Sequence, residues 1–263
     1  MIKCYTRERE IFMPKFFVRD DQINDNKVDI IGEDVNHISN VLRMKVGDEF
    51  QVCNSDTTEN YNVEIKSFEK EKIICSIINK MKSEAESDIN LKIFQGIPKS
   101  DKMELIIQKS TELGIKELIP VDMERCVSKI SGKDEKKKID RWQKISEVAA
   151  KQSGRDMIPK IHNVIKINDI VKVISDFDMI IVPYEKAEVY SFKDAIEEIK
   201  EYDKSNINIG IVIGPEGGFE PSEIEQLKEA GAKIVTLGKR ILRTETVALA
   251  MSSVIMYELG GSI

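Results

Sequence analysis

A glycine-rich segment near the end of the chain carries the side chains best suited to chemistry. Residues 209–213 are apolar and lead directly into Gly214-Pro-Glu-Gly-Gly-Phe219. A turn of this kind after a parallel strand lets backbone groups approach a ligand closely. It lacks the Lys and Ser/Thr of a P-loop and the G-x-G-x-x-G of a dinucleotide site. Glu216 would repel phosphate, so the segment predicts a ligand with cationic character or a substrate proton that needs a base.

A second polar segment, residues 237–246, reads Leu-Gly-Lys-Arg-Ile-Leu-Arg-Thr-Glu-Thr. Both segments follow predicted strands, and the carboxyl ends of parallel strands meet at one edge of a sheet. The alternative is two tight turns with incidental charge. It is less favoured, because a simple turn does not need Pro, Glu and three glycines together. We therefore expect a ligand crevice between the two segments.

The elements that position these segments fall into two regions with different patterns of predicted secondary structure. The first region has short strand-like stretches at 16–18, 49–53, 61–65 and 72–78, with one helix predicted at 33–42. This pattern predicts a small β-barrel. A charged stretch of small residues at 82–88 is typical of a linker. The predicted domains are therefore residues 14–82 and residues 89–263.

The second region alternates strands with helices. Strands are predicted at 91–97, 117–121, 179–183, 207–213 and 233–237, and helices at 101–114, 135–152, 192–202, 222–230 and 245–259. Capping boxes are expected at Asp101 with Glu104 and at Ser222 with Glu225. Such alternation predicts an α/β fold whose parallel sheet is covered on both faces.

Composition indicates which partners, membrane segments and metal sites to expect. The 263 residues carry 40 Lys and Arg against 46 Asp and Glu, a formal net charge of −6. Mild acidity does not exclude nucleic acid, since a local basic face is enough. No apolar run approaches the roughly 18 residues that span a bilayer. The four cysteines are scattered without a C-x-x-C pair and there are only two histidines, so we expect reduced thiols, no metal site and a cytoplasmic location.

The two carboxyl-terminal segments resemble the SPOUT-class methyltransferases, whose carboxyl-terminal domain forms a trefoil knot. The family they resemble most methylates the ring nitrogen N3 of a uridine in 16S ribosomal RNA of the small subunit. Further matches include Gln108-Lys-Ser-Thr-Glu-Leu-Gly114 and Ala149-Ala-Lys-Gln-Ser-Gly-Arg155. The resemblance runs from about Met13 to the end, with Val247 in place of the usual alanine. It implies a PUA-like barrel followed by the knotted α/β domain.

The resemblance also implies the cofactor, S-adenosyl-L-methionine, which is a cation at sulfur. In such enzymes three converging loops hold its adenine largely through backbone groups. In this sequence the corresponding residues are Pro183, Tyr184, Glu185, Gly214, Pro215, Glu216, Gly217, Gly218, Phe219, Leu237, Gly238, Ile241 and Leu242.

Methylation at N3 requires removal of a proton while negative charge spreads onto O2 and O4 of the uracil. A carboxylate base and a nearby guanidinium meet both needs. Glu216 and Glu245 are both candidates for the base, and Glu245 is equally explained as an acid that offsets a helix dipole. Arg243 is the candidate that stabilises the charge, and we expect Ile241 and Leu242 to anchor it in an apolar crevice.

Basic and polar residues in both regions are candidates for contacts with RNA phosphates, which position RNA without reading its sequence. For a single lysine a solvated surface role is more common, whereas Arg125 and Arg155 lie inside matched motifs. The full set is Arg19, Arg43, Lys45, Lys99, Lys102, Arg125, Lys151, Gln152 and Arg155.

The functions considered are therefore an rRNA uridine-N3 methyltransferase, a ribose 2′-O-methyltransferase and a non-catalytic RNA-binding protein. The expected partner is 16S ribosomal RNA or the small ribosomal subunit. The last helix is apolar nearly all round, which favours burial on more than one side. We therefore also expect a homodimer, the commonest closed assembly.

Overall fold

The computed structural model describes residues 13–82, 85–130, 132–202 and 205–260. The chain divides into two compact units, and the boundary lies between Ala85 and Glu86. Part of the predicted linker, residues 83–84, lies outside the described residues.

The first unit is a six-stranded barrel-like sheet. Its strands are β1 (Lys15–Val18), β2 (Ile23–Asn24), β3 (Lys27–Ile31), β4 (Glu49–Asn54), β5 (Asn60–Phe68) and β6 (Lys72–Met81), in the order β1-β4-β5-β6-β3-β2. Strand β1 pairs in parallel with β4, and the other pairs are antiparallel. Alternate residues such as Val63 and Ile65 point into the core.

In this unit the β2–β3 hairpin was not predicted, and the one predicted helix differs in form. Strand β2 has only two residues, too few to show a pattern, and β3 was missed although its five residues alternate in burial. The predicted helix 33–42 is a short α1 (Glu33–Asn36) that widens into a single π turn over His37–Val41. The chain leaves this turn through Arg43, which has a positive φ of 56°.

The second unit is built on a parallel sheet, as the alternating pattern predicted. Its strands are β7 (Asn90–Gly96), β8 (Glu117–Asp122), β9 (Lys160–Ile161), β10 (Ile165–Lys166), β11 (Met179–Pro183), β12 (Asn208–Ile213) and β13 (Lys233–Val235). Their order is β10-β8-β7-β12-β11-β13, with β9 beside β8. Strands β11 and β12 are buried at almost every position, as expected when helices cover both faces.

The helices of this unit are α2 (Lys102–Glu112), α3 (Lys133–Ser153), α4 (Ile167–Val173), α5 (Phe192–Lys200), α6 (Pro221–Glu229) and α7 (Thr244–Leu259). Neither predicted capping box forms. Asp101 makes no side-chain cap, and Glu104 pairs with Arg141 instead. Helix α6 begins one residue earlier than predicted, so its capping box joins Glu220 and Glu223.

Arg155 is buried, which corrects its assignment as an RNA contact. Its side chain is 4% exposed and forms a two-pronged ion pair with Glu86. It also donates to the carbonyl groups of Thr111 at 3.1 Å and Ile115 at 2.6 Å. A guanidinium with these partners is not available to RNA phosphates. Arg155 therefore links the start of the second unit, at Glu86, to the loop after α3.

A second ion cluster lies at the amino ends of the strands. Glu117 Oε2 is 2.6 Å from His162 Nε2, and Oε1 is 2.6 Å from Lys92 Nζ. The hydrogen bond from His162 and the interaction with Lys92 together outweigh partial burial and hold the pKa of Glu117 at about 2.

The structure also bears on membrane-spanning helices, metal-binding groups and the cysteines. No helix in the described part of the chain is long and apolar enough to cross a membrane. No group of three or more His, Cys, Asp or Glu side chains among those residues is arranged to hold a metal ion. Cys53, Cys75 and Cys126 are buried thiols. Burial raises the pKa of Cys126, so it is an inert thiol.

Candidate cofactor and RNA site

A cavity of about 910 Å³ lies at the carboxyl ends of β11, β12 and β13. The three loops that follow these strands, residues 183–185, 214–219 and 237–242, all line it. Every residue that the sequence analysis assigned to the cofactor therefore lies at one site. The reason is topological, because parallel neighbouring strands end at the same edge of the sheet. The volume falls in the usual range for a small-molecule site, about 300–1,000 Å³.

Two glycines of the lining are favoured for different reasons. Gly238 has a φ of +98°, a conformation that side chains disfavour. A β-carbon on Gly217 would lie 3.0 Å from Arg125 Cβ and 3.1 Å from Arg125 O. Gly217 therefore packs tightly against the loop after β8, where a side chain would crowd Arg125, a reason that differs from the close ligand approach expected from the sequence. Arg125 also donates to the Gly217 carbonyl at 3.3 Å.

A buried hydrogen-bond chain ties the glycine-rich loop to the last helix. Gln95 Nε2, at the end of β7, donates to Thr244 Oγ1 at 2.8 Å. Thr244 Oγ1 in turn donates to the Gly214 carbonyl at 2.8 Å. Thr244 is 6% exposed and Gln95 is fully buried. Sequence analysis assigned no role to either residue, since the partners lie on three separate segments of the chain.

Lys102 stands between the two acids proposed as bases. Its Nζ lies 3.0 Å from Glu216 Oε1 and 3.3 Å from Glu245 Oε2. Both oxygens of Glu216 also accept the backbone N–H of Lys99, at 3.1 and 3.2 Å. Glu216 and Lys102 line the cavity. Glu245 is not among the lining residues that the structure describes, and its Oε2 is buried without hydrogen-bond geometry to a donor.

The charge state of these groups follows from their contacts. Partial burial raises the pKa of the Glu216 carboxyl, but hydrogen bonds from its own N–H, from Lys102 and from the Lys99 N–H outweigh burial and lower it. The hydrogen bond to Glu216 raises the pKa of Lys102, and the interaction with Glu245 adds to this. At neutral pH the cluster therefore holds the Lys102 ammonium beside the Glu216 carboxylate.

Arg243 and its neighbours form the mouth of the cavity. Arg243 is the N-cap residue of α7, is exposed and lines the cavity. Ile241 is 87% exposed, so it does not anchor Arg243 in an apolar crevice, which corrects that expectation. Leu242 does pack against the core.

The sequence analysis missed Lys239 and Arg240, which are exposed and line the cavity beside Arg243. In the described ranges none of these three cations is paired with a carboxylate. Lys239 and Arg240 lie in the same sequence motif as Arg243, and this position could have indicated their role at the site.

The remaining candidates for RNA contacts are placed differently. Arg19 pairs with Asp21 at 3.1 Å, Arg125 with Glu220 at 2.8 Å, and Lys151 with Glu147 at 2.9 Å. A paired cation is less available to phosphate than an unpaired one. The exposed members of the set are Arg19, Arg43, Lys45, Lys99, Arg125 and Gln152.

Comparisons with known proteins agree with this architecture. Residues 85–256 match the family model described as RNA methyltransferase domain, and residues 30–78 match the one described as RNA methyltransferase PUA domain. The fold and the crevice thus define an α/β RNA methyltransferase with a PUA domain. The chain is 39% identical, over 87% of its length and 89% of the relative, to the ribosomal RNA small subunit methyltransferase E of Bacillus subtilis. It belongs to the family of the ribosomal RNA small subunit methyltransferases E.

A solved structure extends the comparison to the cofactor. The ribosomal RNA small subunit methyltransferase E from Neisseria gonorrhoeae, bound to S-adenosyl methionine, superposes with a TM-score of 0.78 at 29% identity. The match covers 93% of this chain and 97% of that protein. Another solved structure, described as a hypothetical protein, gives a TM-score of 0.84 at 38% identity over 93% of this chain and 98% of its own.

Proposed function

We propose that this protein transfers the methyl group of S-adenosylmethionine to the ring nitrogen N3 of a uridine in 16S ribosomal RNA. The observation that carries the proposal is the convergence of three strand-end loops on one cavity with Glu216 and Arg243 at its lining. The Bacillus subtilis relative supports the ribosomal RNA substrate, and the Neisseria gonorrhoeae structure supports the cofactor.

The residues of the cavity suit S-adenosylmethionine. Backbone groups of residues 183–185, 214–219 and 237–242 can hydrogen-bond its adenine. Carboxylates of Glu185, Glu188 and Glu216 line the same cavity and complement the positive charge of the cofactor. When bound there, the cofactor supplies an electrophilic methyl group. The protein has to bind and orient the uracil, take its N3 proton and exclude water.

The geometry favours Glu216 over Glu245 as the group that takes the proton, because Glu216 lines the cavity and Glu245 is not among the described lining residues. Arg243 is exposed at the same lining and can donate to a uracil oxygen as charge develops. We expect Arg243→Ala to lower the single-turnover rate far more than cofactor affinity, by about 10²–10³-fold.

RNA contacts are proposed on the exposed cations of each unit. In the first unit these are Arg43 and Lys45, and Arg19, which pairs with Asp21, is a less available candidate. In the second unit the exposed Lys239 and Arg240 line the cavity, and Lys99 and Gln152 are further exposed candidates. Arg125 and Lys151 are less available because each pairs with a glutamate. The trefoil knot of the second unit stays a prediction, as does the cytoplasmic location.

A homodimer is also proposed, through the outer face of α7. The inner face is buried, including Val247, Met251 and Ile255. Val254 is 41% exposed and Tyr257 is 70% exposed, and with half-buried Ala250 they form one stripe at helical spacing. A second copy covering this stripe would remove it from water. Sedimentation at micromolar concentration should show dimer mass, and Tyr257→Glu should shift it to monomer mass.

The experiment that tests the function uses small-subunit RNA from cells lacking this protein, as free RNA and as assembled subunits. Purified protein and methyl-labelled S-adenosylmethionine are added, and the RNA is digested to nucleosides. Labelled 3-methyluridine supports the proposal. A labelled 2′-O-methyl nucleoside would indicate a ribose methyltransferase. RNA binding without any transfer would indicate a non-catalytic binding protein.

A further inference from the structure

Methylation at uracil N3 is favoured by a hydrogen-bond donor at each of the two neighbouring carbonyl oxygens. N3 lies between two carbonyl groups, and loss of its proton spreads negative charge onto both. Arg243 supplies one donor. A second cation near the other oxygen would make the N3 proton easier for the Glu216 carboxylate to remove. This advantage rests on the proposed N3 chemistry.

Lys102 is the cation that the structure holds inside the cavity. It is the first residue of α2, its side chain is 31% exposed, and it lines the cavity beside Glu216. The ammonium is held from two directions, at 3.0 Å by Glu216 and at 3.3 Å by Glu245. Its charge is therefore fixed in place, which is the arrangement that electrostatic stabilisation of a transition state requires.

The two acids are themselves anchored. Glu216 is held by the Lys99 N–H, while Glu245 lies in the first turn of α7 with only 15% of its side chain exposed. The buried Oε2 of Glu245 has no other donor among the described residues. Its contact with Nζ can orient the ammonium, and Glu245 is not among the described residues that line the cavity. A surface lysine that only contacts phosphate needs neither anchor.

We infer that the Lys102 ammonium is a further catalytic group, a hydrogen-bond donor to one of the uracil carbonyl oxygens beside N3, and that Glu245 is its positioning residue. In the step, the N3 proton passes to the Glu216 carboxylate and the bond from N3 to the methyl carbon forms. The sulfur–methyl bond breaks and its electron pair stays on sulfur. Lys102 keeps its protons and stabilises the charge on oxygen.

The test compares Lys102→Met with Lys109→Met, a matched control on the same helix whose ammonium pairs with Glu112 at 2.8 Å. Single-turnover methyl transfer is measured at saturating RNA and cofactor, together with the affinity for each and the melting temperature. Lys102→Met should lower the rate by about 10²–10³-fold while both affinities stay near wild type. Lys109→Met should keep the wild-type rate.

Two further variants keep the test decisive. Lys102→Gln retains a neutral hydrogen-bond donor and should give a rate between those of the wild type and Lys102→Met. This variant replaces Lys102→Met in the test if Lys102→Met does not fold. Glu245→Gln should lower the rate constant without changing the KM for RNA, because a positioning residue acts through Lys102.

Each alternative role of Lys102 has its own signature. A wild-type rate in Lys102→Met would overturn the inference. If Lys102→Met loses RNA affinity but keeps the wild-type rate at saturation, Lys102 is a phosphate contact. If the variant loses only cofactor affinity and thermal stability, Lys102 has a structural role that links α2 to the glycine-rich loop. Either result also overturns the catalytic role. If the wild-type protein transfers no methyl group to N3, the proposed function fails instead.

Discussion

Replacing Thr244 by valine should loosen the cofactor site through the loss of one hydroxyl group. Valine keeps the shape of threonine but can neither accept from Gln95 nor donate to the Gly214 carbonyl, both at 2.8 Å in the structure. Two hydrogen bonds contribute about 1 kcal/mol each, and leaving the half-buried Gly214 carbonyl without this donor costs about 1–3 kcal/mol, which includes its own lost bond. Gln95 keeps its bond to the Gly96 carbonyl at 2.9 Å. The expected loss is therefore about 2–4 kcal/mol of unfolding free energy.

For a domain of this size each 1 kcal/mol lowers the melting temperature by about 2–4 °C, so a loss of 3 kcal/mol lowers it by roughly 6–12 °C. Because the bond to Gly214 also holds the glycine-rich loop, cofactor affinity measured by calorimetry well below the transition should fall as well. Thr244→Ser is the matched control, since it keeps the hydroxyl and loses a methyl group, at about 0.5–1.5 kcal/mol.

The order of the two variants decides the question. If Thr244 acts through its hydroxyl, valine is the more damaging replacement. If it acts only through packing, serine is. A valine variant at least as stable as the serine variant, with wild-type cofactor affinity, would refute the hydrogen-bond argument.

Three further outcomes are expected. Arg155→Met should destabilise the second unit by about 3–5 kcal/mol, because it leaves the Glu86 charge buried without its partner, and RNA affinity per folded molecule should stay unchanged in filter binding. Lys239→Ala with Arg240→Ala should weaken binding to unrelated RNA sequences equally and reduce the slope of log K against log salt by about 1–2, which a purely structural role of this loop would not do. The folded pKa of Glu117 is about 2, below its unfolded value, so its stabilising contribution is complete above the unfolded value and is lost as pH falls toward 2. Glu117→Gln should therefore flatten the acid limb of the stability curve between about pH 5 and pH 2, and an unchanged acid limb in denaturant titrations would contradict the assignment.

The location of the site could be predicted from the sequence because it depends on the alternation of strands and helices along the chain, which makes the strands parallel. Strand β11 was predicted at its observed bounds, and β12 and β13 within two residues of theirs. Their apolar runs are local signals, and the loops after parallel strands must meet at one edge. The small elements were not predicted. Strands β9 and β10 have two residues each, too few for a periodicity to show.

The roles of individual polar side chains depended on partners far away in the chain. Asp101 and Glu104 have the spacing of a capping box, yet Glu104 is drawn to Arg141, 37 residues further on. Arg155 looked like a phosphate contact inside its motif, but its partner Glu86 lies 69 residues earlier. Local spacing carries no information about such contacts, so the motif indicated importance without indicating the reason.

The sequence by itself determined the class of fold, the edge of the sheet that carries the crevice, and two of the loops that line it, residues 214–219 and 237–242. These follow from hydrophobic periodicity and from short glycine-containing motifs, both of which are local properties of the chain. The third loop, residues 183–185, was implied only by the resemblance to the SPOUT-class methyltransferases. Only the tertiary structure separated Glu216, which lines the cavity, from Glu245, which contacts Lys102 and is not among the described lining residues. The same structure joined Gln95, Thr244 and the glycine-rich loop in one buried chain of hydrogen bonds. Electrostatic and hydrogen-bond roles are decided by distances between segments, and those distances exist only after the chain has folded.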